Sequence, residues 1–212
     1  MNLRRGRPDK LVITSIISGV IFIMIMLLVI TNNIAWFDDA IISLVQGLEN
    51  DRLTSFMKFL SFIGSSLMSV MIFVVVFLFL MIVLKHRREL IMFLVTVGGS
   101  ELWNLILKNI IQRARPNTHR LVEITGFSFP SGHSMAAFAL YGAITFLLWR
   151  HIPRYAGRIA MITAGIALTL LIGISRIYLG VHYPSDVIGG YAASATWLMI
   201  CIVCFRKWSF VK

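Results

Sequence analysis

The chain has 212 residues, of which 58% are hydrophobic and only 14% charged, and a mean hydropathy of +0.85. A soluble domain of this length would carry far more charge, so the composition indicates an integral membrane protein. The formal net charge of +11 does not signal a nucleic-acid partner, because the cations sit in short clusters between apolar runs, with no basic face interleaved with aromatics.

The first ten residues hold Arg4, Arg5, Arg7 and Lys10, and an apolar run follows from Leu11 to about Ile30. That run is about twice a signal-peptide core and no small-x-small site closes it, so an uncleaved first span is expected at 11–30. Residues 32–58 are mixed, with Ile41, Ile42, Leu44, Val45 and Leu48 at helical spacing, which predicts surface-lying helices over about 36–58. Further spans are expected at 59–84, 90–111, 132–149, 159–174 and 187–205. The third is the least apolar, broken by Glu101, Asn104 and Lys108. Cys201 and Cys204 lie inside the last apolar run and are read as packing residues. The expected fold is all-α, a single domain over 1–212 built as a six-transmembrane helical bundle with a short surface-lying segment between the first two spans.

Orientation follows from the cations. With both termini cytoplasmic, the inside segments hold thirteen of the 20 basic residues: Arg4, Arg5, Arg7, Lys10, Lys85, Arg87, Arg88, Arg150, Arg154, Arg158, Arg206, Lys207 and Lys212. The other seven are Arg52, Lys58, Lys108, Arg113, Arg115, Arg120 and Arg176, and five of these fall in or beside motifs. Arg120 and Lys58 suit interfacial snorkelling, a reading less suited to Lys108, Arg115 and Arg176.

Alternating spans bring three distant stretches to one face. The end of the third span offers Lys108 and Arg115-Pro116, the start of the fourth offers Pro130-Ser131-Gly132-His133, and the joint of the last two offers Ser175, Arg176, His182 and Asp186. The arginine forks suit phosphate oxygens. Ser131 is a good N-cap, and Gly132 lets the first-turn amides of a helix approach an anion. Tyr183 precedes proline, and Pro184 and Ser185 are plausible first helical residues; His182 would then hang just outside a helix with Asp186 in its first turn. In that geometry the carboxylate holds one ring nitrogen and leaves the other free to react. Each stretch alone also reads as ordinary capping or a loop. Two histidines, three cations and a carboxylate on one face are hard to explain as packing.

These residues resemble the type 2 phosphatidic acid phosphatases, whose wider superfamily includes the vanadium haloperoxidases. The family pattern Lys-x6-Arg-Pro, Pro-Ser-Gly-His and Ser-Arg-x5-His-x3-Asp occurs without departure at 108–116, 130–133 and 175–186, covering roughly the C-terminal half. The resemblance implies that His182 is the nucleophile, that Asp186 orients it and that His133 is the general acid. It makes Lys108, Arg115, Ser131, Gly132 and Arg176 the phosphate-binding set. A neutral imidazole can attack phosphorus to give a phosphohistidine, with the cations stabilising the equatorial oxygens. No metal or other cofactor is expected, since the cations already neutralise phosphate and Asp38-Asp39 is an isolated pair.

The expected activity is a metal-independent phosphatase acting on a membrane lipid phosphate or diphosphate at the outer leaflet, with the site extracytoplasmic. Undecaprenyl diphosphate is the first substrate expected, then phosphatidylglycerophosphate and phosphatidic acid. An anionic-lipid transporter would use the three cations but leave both histidines idle. Haloperoxidase activity belongs to soluble proteins, and Ser131 lacks the Gly-x-Ser-x-Gly setting of a serine hydrolase.

Overall fold

The computed structural model describes residues 10–85, 87–117 and 119–210, so Arg4, Arg5, Arg7, His86 and Lys212 of the basic clusters lie outside the described residues. Among the described residues there are eight α-helices and no strand: α1 Lys10–Ile30, α2 Ala35–Gln46, α3 Asp51–Ile63, α4 Ser66–Leu78, α5 Arg87–Ile111, α6 Gly132–Leu148, α7 Tyr155–Tyr178 and α8 Pro184–Phe210. A π-helical turn, Phe79–Leu84, extends α4. Five helices are long and apolar enough to cross a membrane, namely α1, α4 with its extension, α5, α7 and α8. The apolar helix α6 is shorter, at 17 residues.

Several helix boundaries differ from the sequence expectation, and three of them are shaped by identifiable residues. The second span does not start at Phe59: α3 runs on to Ile63, Gly64 closes it, and the Ser65 hydroxyl caps α4 by accepting from the Met68 amide. A Cβ at Gly64 would lie 2.4 Å from Ile172 Cγ2, so the chain turns where α3 presses against α7. That turn is invisible in an apolar run that continues through it. Helix α5 starts at Arg87, inside the basic cluster. Helix α7 reaches Tyr178 rather than stopping at Ile174, which places Ser175 and Arg176 in its last turn.

Helix α6 is the centre of the bundle. Its alanines 136, 137, 139 and 143 are buried, and with Ala192 and Ala193 of α8 they let the backbones approach closely. Leu80, Phe93, Leu140, Leu147 and Leu198 form one core cluster, while Phe22, Leu107, Phe129 and Met135 join α1, α5, α6 and the loop before α6 in another. A third, built from Met57, Leu60, Tyr178, Leu179 and Val181, packs α3 on the end of α7. Large apolar side chains such as Ile16, Val75, Leu105, Ile110 and Leu170 point outward, the pattern of a bundle whose solvent is hydrocarbon. Of the two cysteines, Cys201 is buried and Cys204 exposed, and both are free.

Candidate active site

The motif residues converge because three helix ends are each shaped by local chemistry. Helix α5 stops at Gln112, which takes a left-handed φ of 50° and turns Arg113 and Arg115 back over the bundle. At the start of α6 the Ser131 hydroxyl accepts from the Ser134 amide at 3.4 Å and from the Ser134 hydroxyl at 2.9 Å. As at any helix start, the Gly132 and His133 amides lack intrahelical acceptors.

Helix α7 closes with a Schellman motif: the Gly180 amide donates to the Ile177 carbonyl at 3.0 Å and the Val181 amide to the Arg176 carbonyl at 3.2 Å. Gly180 sits at φ +70°, and a Cβ there would fall 1.8 Å from the His119 carbonyl oxygen. Two residues later His182 is held between helices, its amide donating to the Arg176 carbonyl at 3.3 Å. Helix α8 begins with Pro184, and Asp186 in its first turn reaches back to accept from the Tyr183 amide at 2.9 Å, as in a capping box. The expected placement of His182 outside a helix and Asp186 within its first turn is what the structure shows.

A cavity of about 180 Å³ gathers Lys108, Arg115, Gly132, His133, Arg176 and His182 in its wall, with Glu101, Asn104 and Ser66 beside them. A larger cavity of about 320 Å³ between α6, α7 and α8 carries no charged group. Six of the eight residues singled out in the sequence therefore meet in one pocket. Asp186 lies behind it, fully buried. Ser131 does not line the cavity: it is also fully buried, its hydroxyl is taken by the α6 cap, and its amide donates to the Asp186 carbonyl at 3.0 Å.

The two imidazole nitrogens of His182 face different partners. Nδ1 lies 3.3 Å from Asp186 Oδ2 and 3.4 Å from the Ser128 hydroxyl, whereas Nε2 lies 3.1 Å from Arg115 Nη1. Burial disfavours the imidazolium more than Asp186 favours it, and the His182 pKa is held down at about 4. Arg115 is itself held by the carbonyls of Val181 at 2.8 Å and Gly126 at 2.9 Å. Lys108 Nζ donates to the Phe127 carbonyl at 2.5 Å. Arg176 is only 2% exposed; Nη1 donates to the Ser61 hydroxyl, and Nε and Nη2 have no hydrogen-bond partner. A buried guanidinium with unused donors in a cavity wall is a ready receptor for an oxyanion.

Sequence reasoning missed the residues around Asp186. Arg113 Nη1 donates to Asp186 Oδ1 at 2.6 Å and Nη2 to Asp38 Oδ2 at 2.8 Å. Asp38 also accepts from the Ser185 amide at 2.9 Å and the Ser185 hydroxyl at 2.7 Å. The Ser128 hydroxyl donates to Asp186 Oδ2. Asp38 is thus no isolated acidic residue but a fully buried one, tied to the start of α8. Asn104 was visible only as a polar interruption of the third span; its Nδ2 donates to the Pro130 carbonyl at 3.2 Å, fixing the loop that leads into α6.

Such a site, two histidines and three cations at one end of an apolar bundle, defines a membrane-embedded phosphatase. Residues 89–210 match the PAP2 superfamily, and the chain belongs to it. It is 34% identical to phosphatidylglycerophosphatase B of Bacillus subtilis (strain 168) over 81% of this chain and 84% of that protein. It is 32% identical to the undecaprenyl-diphosphatase of Sulfolobus acidocaldarius, over 53% of each chain. The crystal structure of the first transmembrane PAP2-type phosphatidylglycerolphosphate phosphatase from Bacillus subtilis superposes with a TM-score of 0.87 at 27% identity, covering 94% of this chain and 99% of that one. The protein is a multi-pass membrane phosphatase of this superfamily.

Proposed function

We propose that the chain, acting as one membrane domain, hydrolyses a lipid phosphate by in-line attack of His182 Nε2 on phosphorus, without a metal. The observation that carries this reading is the pairing of unused donors on Arg176 with the Nε2 edge of His182 in the same cavity wall. Lys108, Arg115, Arg176 and the first amides of α6 hold the phosphoryl oxygens and stabilise the charge that builds on them. Asp186 keeps the proton of His182 on Nδ1. His133 protonates the leaving oxygen, then takes a proton from the water that cleaves the phosphohistidine.

Phosphatidylglycerophosphate fits the comparisons at least as well as undecaprenyl diphosphate, since the relative named for the former is matched over most of both chains and the latter's over about half. We therefore place phosphatidylglycerophosphate first and undecaprenyl diphosphate second, with phosphatidic acid after them. A transporter would give the His182–Asp186 pair no task.

Six spans, α6 being the short one, put the cavity end outside the cell and both termini inside. Lys85, Arg87, Arg88, Arg154, Arg158, Arg206 and Lys207 cluster at the opposite end and support that orientation. The test is phosphate release from the three lipids by purified protein in detergent with EDTA. Release from phosphatidylglycerophosphate is expected. Loss of all activity with EDTA, or release from none of the lipids, would overturn the reading.

A further inference from the structure

We propose that Arg113, anchored by Asp38 of α2, is a positioning residue that holds Asp186 in register for His182, which makes helix α2 part of the catalytic apparatus. This rests on the reading of His182 as nucleophile. The geometry separates the two oxygens of one carboxylate. Asp186 Oδ2 serves the His182 side, where it also meets the Ser128 hydroxyl and the Tyr183 amide. Oδ1 is taken by Arg113 Nη1 at 2.6 Å. The second guanidinium nitrogen reaches Asp38 on α2, and Ser185 ties Arg113 to Asp38, its hydroxyl 2.8 Å from Arg113 Nη1 and 2.7 Å from Asp38 Oδ2. The Tyr183 ring covers the guanidinium at 3.9 Å.

A carboxylate gripped by one oxygen alone can swing about its bond to Cβ; gripped at both oxygens it cannot. Orientation of an imidazole by such a carboxylate decides which nitrogen carries the proton. Both Asp38 and Asp186 are fully buried, and the planar fork of arginine suits a bridge between two carboxylates where the single ammonium of lysine does not. Burial disfavours the Arg113 cation, but Asp186 and Asp38 outweigh it and hold its pKa above the ordinary value. Arg113 does not line the phosphate cavity. Its effect on substrate must pass through Asp186.

The sign of the electrostatic consequence is fixed. Asp186 is faced by His182 and Tyr183 from its own side, by Arg113 and Ser128 from the loop before α6, and by Asp38 from α2 across Arg113. Removing the cation leaves this group more negative. Proton binding becomes easier at His182, so neutral His182 is lost at a higher pH.

The experiment compares wild type, Arg113→Ala, Arg113→Lys, Asp38→Asn and His182→Ala in detergent. It measures kcat, KM and pH dependence for phosphatidylglycerophosphate, and titrates His182 by nitrogen-15 NMR without substrate. Arg113→Ala is expected to lose kcat about 10-fold or more, short of the ~10⁴ that follows loss of tautomer control outright. KM should stay within about 3-fold, because Lys108, Arg115 and Arg176 are untouched. The acidic limb and the His182 titration should both move to higher pH. Arg113→Lys should restore the titration but only part of kcat, and Asp38→Asn should lower kcat in the same way as Arg113→Ala.

Unchanged kcat and an unmoved His182 titration in Arg113→Ala and Arg113→Lys would overturn the inference. So would a loss carried wholly by KM. If His182→Ala keeps its activity, the nucleophile assignment fails on its own, while the NMR titration still reports whether Arg113 governs the His182–Asp186 pair.

Discussion

Arg115 Nη1 stands 3.1 Å from His182 Nε2. A guanidinium has only donors, so Nε2 must present its lone pair and the ring proton must sit on Nδ1, toward Asp186. The resting protein thus already holds the tautomer that the proposed attack of His182 on phosphorus requires. In the proposed reaction, a phosphoryl group in the cavity would offer Arg115 an anionic acceptor in place of the imidazole and so free Nε2.

The pH profile should show this preparation. Because burial lowers the His182 pKa to about 4 from 6.5, the neutral form that the proposed attack needs persists as pH falls and is lost only through the lower value. The acidic limb of kcat/KM is expected near pH 4. Profiles for phosphatidylglycerophosphate and undecaprenyl diphosphate separate the enzyme's limb, common to both, from ionisation of either substrate. A common limb at the ordinary histidine value would contradict the buried, neutral His182.

Arg176 tests the oxyanion role. With two donors unused, it is expected to supply about 10²- to 10³-fold of transition-state stabilisation, on the scale of a lost oxyanion donor. Arg176→Lys keeps a charge but loses the fork, so kcat/KM should stay well below wild type. Steady-state kinetics with phosphatidylglycerophosphate checks this; near-full activity of the lysine variant would show that charge alone suffices.

Gly180 carries a structural prediction. At φ +70°, and with a Cβ placed 1.8 Å from the His119 carbonyl oxygen, alanine is both strained and obstructed. Gly180→Ala should destabilise the protein by about 1–3 kcal/mol and displace His182. Thermal unfolding in detergent should show a lower midpoint together with reduced kcat. A wild-type midpoint would mean that the loop around His119 yields freely.

Much of this was legible in the sequence because charge is expensive beside hydrocarbon. Lys108, Arg115, His133, Arg176, His182 and Asp186 stand out against apolar runs, and Pro184 with Asp186 marks a helix start. Bonds made by residues far apart in sequence were not legible. Asp38 and Arg113 lie 75 positions apart, and an aspartate pair before an amphipathic stretch reads equally well as solvated surface. The signal available was Arg113 itself, a second arginine two residues before the motif's own and without a task. The break at Gly64 and Ser65 was hidden because both neighbouring helices are apolar, so hydropathy runs through the turn without change. Ser131 satisfied a motif, yet its hydroxyl is spent on the α6 cap.

The central claim is a phosphorus–nitrogen bond at His182. Protein mixed with phosphatidylglycerophosphate radiolabelled in its terminal phosphate, quenched in alkali during turnover and digested, should give one labelled peptide, the one containing His182, with the label lost in His182→Ala and retained longer in His133→Ala. Turnover with no label on protein, or label on any other residue, would contradict the account.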